Sequence, residues 1–148
     1  MKNLPIFLAT VFLFGIFSLL TAIVGYWKFY PPNPADFDEK NIIITTPQVR
    51  AGGEFNYAIP IKKYDIYPAE ISSTLISKDR TRTYALAAAT GALPPGEYEM
   101  NIEVDIPRRV NPGIYQLCRI YAYTVNPNTI IMKSYITPEF EVLAPGGE

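Results

Sequence analysis

From Leu4 to Trp27 the chain reads LPIFLATVFLFGIFSLLTAIVGYW, 24 residues without a charge. As a helix this run spans about 36 Å, enough to cross a hydrocarbon core of about 30 Å. Pro5 falls at the helix start, where a missing N–H costs nothing. Tyr26, Trp27, Lys28, Phe29 and Tyr30 close the run; amphipathic rings and a snorkelling lysine suit the headgroup level. Residues 1–30 therefore read as a membrane anchor, with the lipid bilayer as first partner. A cleaved signal peptide needs small residues at positions −3 and −1 of the cut. Cuts after Ala22 or Gly25 would put Leu20 or Ile23 at −3, and the apolar run exceeds the usual signal length. Lys2 flanks one end, and Lys28 and Lys40 the other, close to a tie by the positive-inside rule. The exported character of the remaining chain favours the N-terminus inside and the C-terminal domain in the periplasm or outside the cell. Within the run, Gly15, Ser18, Ala22 and Gly25 are three, four and three residues apart and share one face. Small residues in such a stripe let another transmembrane helix approach closely.

Residues 31–40, PPNPADFDEK, are proline-rich and then acidic, and are expected to form a semi-rigid spacer that holds the domain off the membrane or lies against it. From Asn41 the pattern changes. Runs rich in β-branched and aromatic residues alternate with turn signals, as in EFNYAIPIKKY, where Phe55, Tyr57, Ile59 and Ile61 share a face. Further runs are NIIITT, AEISSTLISK, RTRTYALAAA, EYEMNIEVDIP, IYQLCRIYAYTV and TIIMKSYITPEFEV, separated by Pro, Gly or Asn. Seven runs in about 105 residues predict an all-β, two-sheet antiparallel sandwich over residues 41–143, with 144–148 as a tail.

PGIYQL at residues 112–117 resembles the start of strand F in immunoglobulin-like domains, and FEV at 140–142 resembles a last strand. The resemblance implies that Tyr115 anchors a corner through its hydroxyl and that Leu117 stands where antibody domains carry their second cysteine. The core tryptophan and the cysteine pair of antibody domains are absent. The layout as a whole resembles small, single-pass membrane-anchored proteins of unknown function from phages and bacteria.

The chain has no histidine and one cysteine, Cys118. Histidine-based triads are excluded, as are blue-copper sites, which need two histidines and a cysteine. An intrachain disulfide is excluded too. Pilins also join an apolar N-terminal helix to a β domain, but their acidic residue near the start of the processed helix has no counterpart in this uncharged run. Cys118 lies in an apolar strand and is expected to be buried and inert. Charge is nearly balanced, at −1, and gives no footprint for nucleic acid.

In EYEMNIEVDI, positions 97–106, acids and apolar residues alternate. Tyr98, Met100, Ile102, Val104 and Ile106 should face a core, and Glu97, Glu99, Glu103 and Asp105 should face out. Lys78, Arg80 and Arg82 alternate in the preceding run. A hairpin of 78–88 with 97–106 would pair Arg82 with Glu103 and Arg80 with Asp105. The acids then read as a solvated, self-neutralised face or as a docking surface for a basic partner. Acids spread along a strand do not converge as calcium loops do, and a regularly exposed ladder supplies no raised-pKa carboxylate for catalysis. Glu139 and Glu141 read the same way. Arg108 and Arg109 fall in a turn, solvated or meeting lipid headgroups or an acidic partner. Tyr121, Tyr123 and Tyr135 fit either strand propensity or an exposed strip that stacks on sugars or protein.

The expectation is a non-enzymatic, single-pass membrane protein presenting its sandwich outside the cytoplasm as an accessory or interaction subunit. The partner would be a membrane or periplasmic protein, or a second copy. No catalytic, cofactor-binding or metal-binding residues, no cofactor and no small-molecule substrate are expected. The alternative is a phage or bacterial envelope factor in lysis control or host-surface modification.

Overall fold

Residues 4–127 and 129–146 are described by a computed structural model. Lys2 and the end of the expected tail lie outside them. One helix, α1 (Leu4–Phe29), carries the whole apolar run. It is long and apolar enough to cross a membrane, and none of its residues is buried against the rest of the chain. Its two threonine hydroxyls are satisfied within the helix. Thr10 Oγ1 donates to the Ile6 carbonyl and Thr21 Oγ1 to the Phe17 carbonyl, both at 2.9 Å. Internal satisfaction of polar groups is what a hydrocarbon surrounding demands.

The remainder is mostly β. Its strands are β1 (Ala35–Phe37), β2 (Ile43–Ile44), β3 (Gln48–Arg50), β4 (Glu54–Lys63), β5 (Ala69–Ser77), β6 (Thr83–Ala85), β7 (Ala89–Gly91), β8 (Gly96–Asp105), β9 (Gly113–Asn126), β10 (Thr129–Ile136) and β11 (Phe140–Leu143). They form two sheets. In the first, β4 pairs with β8 on one side and with the short strands β1 and β2 on the other. In the second, β9 lies between β5 and the pair β10 and β11. The short strands β6 and β7 extend β5, and β3 runs parallel to β11.

Alternation sets which side chains enter the core. Phe55, Tyr57, Ile59 and Ile61 of β4 and Ile102 and Val104 of β8 are buried from one sheet; Leu75, Tyr115, Leu117, Phe140 and Val142 are buried from the other. Phe55 stacks on Phe140 across the core, with ring centroids 3.8 Å apart. Pro60 stands mid-strand without breaking the ladder. Its carbonyl accepts from the Asp38 N–H at 3.0 Å, in the gap between β1 and β2. Its missing N–H faces that same gap, so no bond to β8 is lost.

Tyr115 is buried, and its hydroxyl donates to the Asn111 carbonyl at 2.8 Å, tying the chain entering β9. Tyr115→Phe is expected to cost about 0.5–1.5 kcal/mol, read as a lowered denaturant midpoint with unchanged slope.

Several expectations are corrected. Of the two arrangements open to residues 31–40, part of the segment takes the one against the domain: β1 pairs Ala35 with Lys63 and Phe37 with Ile61. The proline run is already extended, and Phe37 leads it under the sheet onto the rings of Tyr121 and Tyr135. The seven runs become eleven strands. β3 arises between the runs NIIITT and EFNYAIPIKKY and completes a sheet edge, and RTRTYALAAA divides into β6 and β7. Cys118 is half-buried rather than buried, since the inward positions of β9 are the odd ones. Tyr121, Tyr123 and Tyr135 are buried, which removes the exposed aromatic strip.

Candidate functional site

The acidic ladder lies on the outward face of β8. The strand opposite is β4 and not 78–88: the pairs are Lys62 with Glu97, Pro60 with Glu99, Asn56 with Glu103 and Glu54 with Asp105. Arg80 and Arg82 therefore do not face Glu103 and Asp105. Chain order misled here, because residues 78–91 stay on the second sheet with β5 while β8 crosses to the first. Glu97 gains a close cation, with Lys62 Nζ at 2.8 Å. Glu54 opposite Asp105 sets two like charges face to face, an unfavourable cross-strand pair.

The basic residues have local duties. Lys78 reaches Glu139 at 2.9 Å. Arg80 adopts a left-handed backbone, φ 56°, in the turn between β5 and β6. Asp79 holds that turn by accepting from Ser77 Oγ at 2.6 Å, from Thr81 Oγ1 at 2.8 Å and from the Thr81 N–H at 3.1 Å. These donors, with the Ser77 hydroxyl first, pull the Asp79 pKa down to about 2. A pKa depressed on folding stabilises above the unfolded carboxylate value near 4, and that contribution is lost as pH falls through 2. Carboxyl NMR titration of Asp79 should give a midpoint near 2, with the turn amides of Thr81 and Arg82 shifting at the same pH. A midpoint near 4 would remove this role.

Beside the ladder the first sheet carries an open groove of about 900 Å³. Five carboxylates line it, from Asp36, Asp38, Glu39, Glu97 and Glu99, against Lys40 and Lys62. Asp36 accepts from the Asn33 amide and the Tyr64 hydroxyl, both at 2.9 Å, and from Lys133 at 3.4 Å. Those bonds lower its pKa, and the Lys62 bond lowers that of Glu97. Both therefore stay ionised, the opposite of what a general acid needs at neutral pH. Among the described residues no three carboxylates converge as metal ligands.

Two cations point inward instead, and neither was anticipated. Arg119 lies among phenols: its Nη1 donates to Tyr57 Oη at 3.3 Å, and its guanidinium sits 5.6 Å from the Tyr121 ring centre. Its buried Nε has no hydrogen-bond partner among the described residues. Tyr135 Oη joins Tyr57 Oη at 2.8 Å and Tyr121 Oη at 3.3 Å. Burial, first of all, raises the pKa of Tyr121 and of Tyr135. Tyr121 and Tyr135 therefore stay protonated and serve a structural network rather than a proton relay. Lys63 is 4% exposed, with Nζ 4.4 Å from the Tyr123 ring centre and 3.3 Å from the Tyr67 carbonyl oxygen. Burial lowers the Lys63 pKa, Asp65 opposing, and burial pushes Tyr123 up to about 12. Strand alternation carried the signal for both. Lys63 follows Phe55, Tyr57, Ile59 and Ile61, and Arg119 falls between Leu117 and Tyr121.

The small-residue stripe lies on a helix that is exposed throughout except for partly covered Gly25. A Cβ added at Gly15 or Gly25 would meet nothing within 4 Å.

No family model and no curated protein matches the chain. Among solved structures it is similar to the alkylpurine DNA glycosylase AlkC of Pseudomonas fluorescens, at 13% identity and TM-score 0.42, over 76% of this chain and 31% of that one. It is similar to the sporulation control protein Spo0M of Bacillus subtilis, at 15% identity and TM-score 0.41, over 78% of this chain and 51% of that one. It is also similar to a β-glucosidase of Listeria innocua, at 15% identity and TM-score 0.39, over 78% of this chain and 17% of that one. The matched region spans about half or less of each of those proteins. Similarity at this level assigns no activity.

Proposed function

We propose that this is a single-pass membrane protein that holds an immunoglobulin-like β-sandwich outside the cytoplasm and acts as a non-enzymatic accessory or interaction subunit. The observation that carries the reading is α1: apolar all round and exposed along nearly its whole length, it needs a hydrocarbon surrounding to hide its surface. The two-sheet body and the Tyr115 corner support the immunoglobulin-like assignment. The non-enzymatic reading rests on the weakness of the bases: Asp79 beside the Ser77 hydroxyl and Asp36 beside Tyr64 both have lowered pKa values and are poor proton acceptors.

Two surfaces are open to a protein partner. Gly15, Ser18, Ala22 and Gly25 would meet another membrane helix, and the groove beside Glu97 and Glu99 would take a basic segment. The test is purification of the full chain from its native membranes in mild detergent, with companions identified by mass spectrometry. A stoichiometric companion supports the accessory reading, and Gly15→Leu or Ala22→Leu should then weaken the association while leaving insertion intact. A lone chain would overturn it. Altered growth or lysis on expression would then favour the envelope-factor alternative.

A further inference from the structure

Lys63 occupies a core position, the last inward place of β4. Where β4 and β8 of one sheet face β5 and β9 of the other, the interior opens into a pocket of about 180 Å³. Its walls include Ile71, Met100 and Tyr123, and Leu93 covers it from the loop after β7. An apolar cavity of about 150 Å³ is enough to hold benzene. This space therefore fits a small ring or a short alkyl chain.

Lys63 supplies the one charge in that lining. Its ammonium has three donors. One makes a long bond to the Tyr67 carbonyl, and the charge rests on the Tyr123 ring face; no ion pair among the described residues balances it. Asp65 acts on it only through space, and a buried cation without a paired counter-ion is costly, so the site is electrostatically incomplete. We propose that the pocket binds a small apolar monocarboxylate, with its ring or short alkyl tail between the sheets and its carboxylate on Lys63 Nζ. A phosphate dianion would pay a larger desolvation cost for the same single lysine. A neutral hydrocarbon would leave the lysine unmatched. Entry is from the sandwich edge, where Gly91 and Ala92 are exposed. The proposal concerns a bound ligand and stands whether or not the accessory reading does.

The test uses the full chain in lipid nanodiscs with ¹³C-methyl methionine. Met100 lines the pocket, whereas Met132 is 71% exposed on β10 and reports non-specific partitioning. Benzoate and hexanoate should shift the Met100 methyl saturably and leave Met132 unmoved. Benzamide and hexanamide should bind about tenfold to a hundredfold more weakly, the factor a charge-assisted bond supplies. Lys63→Met swaps a buried charge for an apolar chain of similar length and should remain folded. It should bind acid and amide alike. Ala92→Trp, at an exposed position on the mouth, should exclude both. No saturable shift of Met100 up to about 20 mM acid overturns the proposal. So does equal binding of acid and amide by the native chain, or an acid preference that survives Lys63→Met.

Discussion

Phe55→Ala should lower the unfolding free energy of the sandwich by about 3–5 kcal/mol, against a total of about 5–15 kcal/mol for a domain of ordinary stability. Phe55 is fully buried. Its ring stacks on Phe140 at 3.8 Å and 14°, and on Tyr57 at 5.4 Å and 27°. The position matters as much as the area. Phe55 sits on β4, which carries every other strand of its sheet, and Phe140 sits on β11, which joins β3 to β9. The ring pair thus links the two sheets at β4 and β11. An alanine would leave a ring-sized void that neighbours anchored in two ladders cannot close. Chemical denaturation followed by near-ultraviolet circular dichroism of the tyrosines should show a much lower midpoint. Phe29→Ala, on a ring 74% exposed at the helix end, is the control and should leave that midpoint unmoved. A cost below about 1 kcal/mol at Phe55 would mean that the sheets are held together elsewhere.

What was legible in the sequence was what period-two alternation encodes. The faces of β4 and β8 follow from EFNYAIPIK and EYEMNIEVDI, and the outward acids are outward. Pairing was not legible, because neighbours along the chain need not be neighbours in a sheet. The run after β5 stays on its own sheet, and β8 crosses over to β4. Its acids thus meet Lys62, Asn56 and Glu54 rather than arginines. Strands of three residues, such as β1 and β3, leave no periodic signal and exist because a sheet edge accepts them.

Lys63 and Arg119 teach a different lesson. Alternation placed both inward, but a charge suggests solvent, and that habit outweighed the pattern. The aromatic rings beside them explain why the pattern won. Tyr123 offers its face to Lys63, and Tyr57 and Tyr121 surround Arg119, so the rings compensate part of each charge without a carboxylate in contact.

The second large effect is expected in the helix. Phe14→Arg combined with Phe17→Arg should strip the protein from membranes. Each arginine near the centre of a membrane helix costs about 2.5–3.5 kcal/mol, so the pair costs about 5–7 kcal/mol. The large apolar residues of the run gain about 0.3–0.6 kcal/mol each, or about 4–8 kcal/mol together, and the double variant also gives up two of them. Insertion then falls from near-complete to a minority of chains, read as protein released by alkaline carbonate. The sandwich should not notice. Phe14 and Phe17 are 72% and 70% exposed, so the substitutions remove no contact from the β core. In detergent the variant should unfold at the native midpoint, which separates loss of anchoring from loss of folding. Gly15→Leu adds apolar surface to the same segment and should stay in the carbonate-resistant fraction. If the double-arginine variant stays there too, α1 is not what holds the protein to the membrane, and the proposed anchor falls with it.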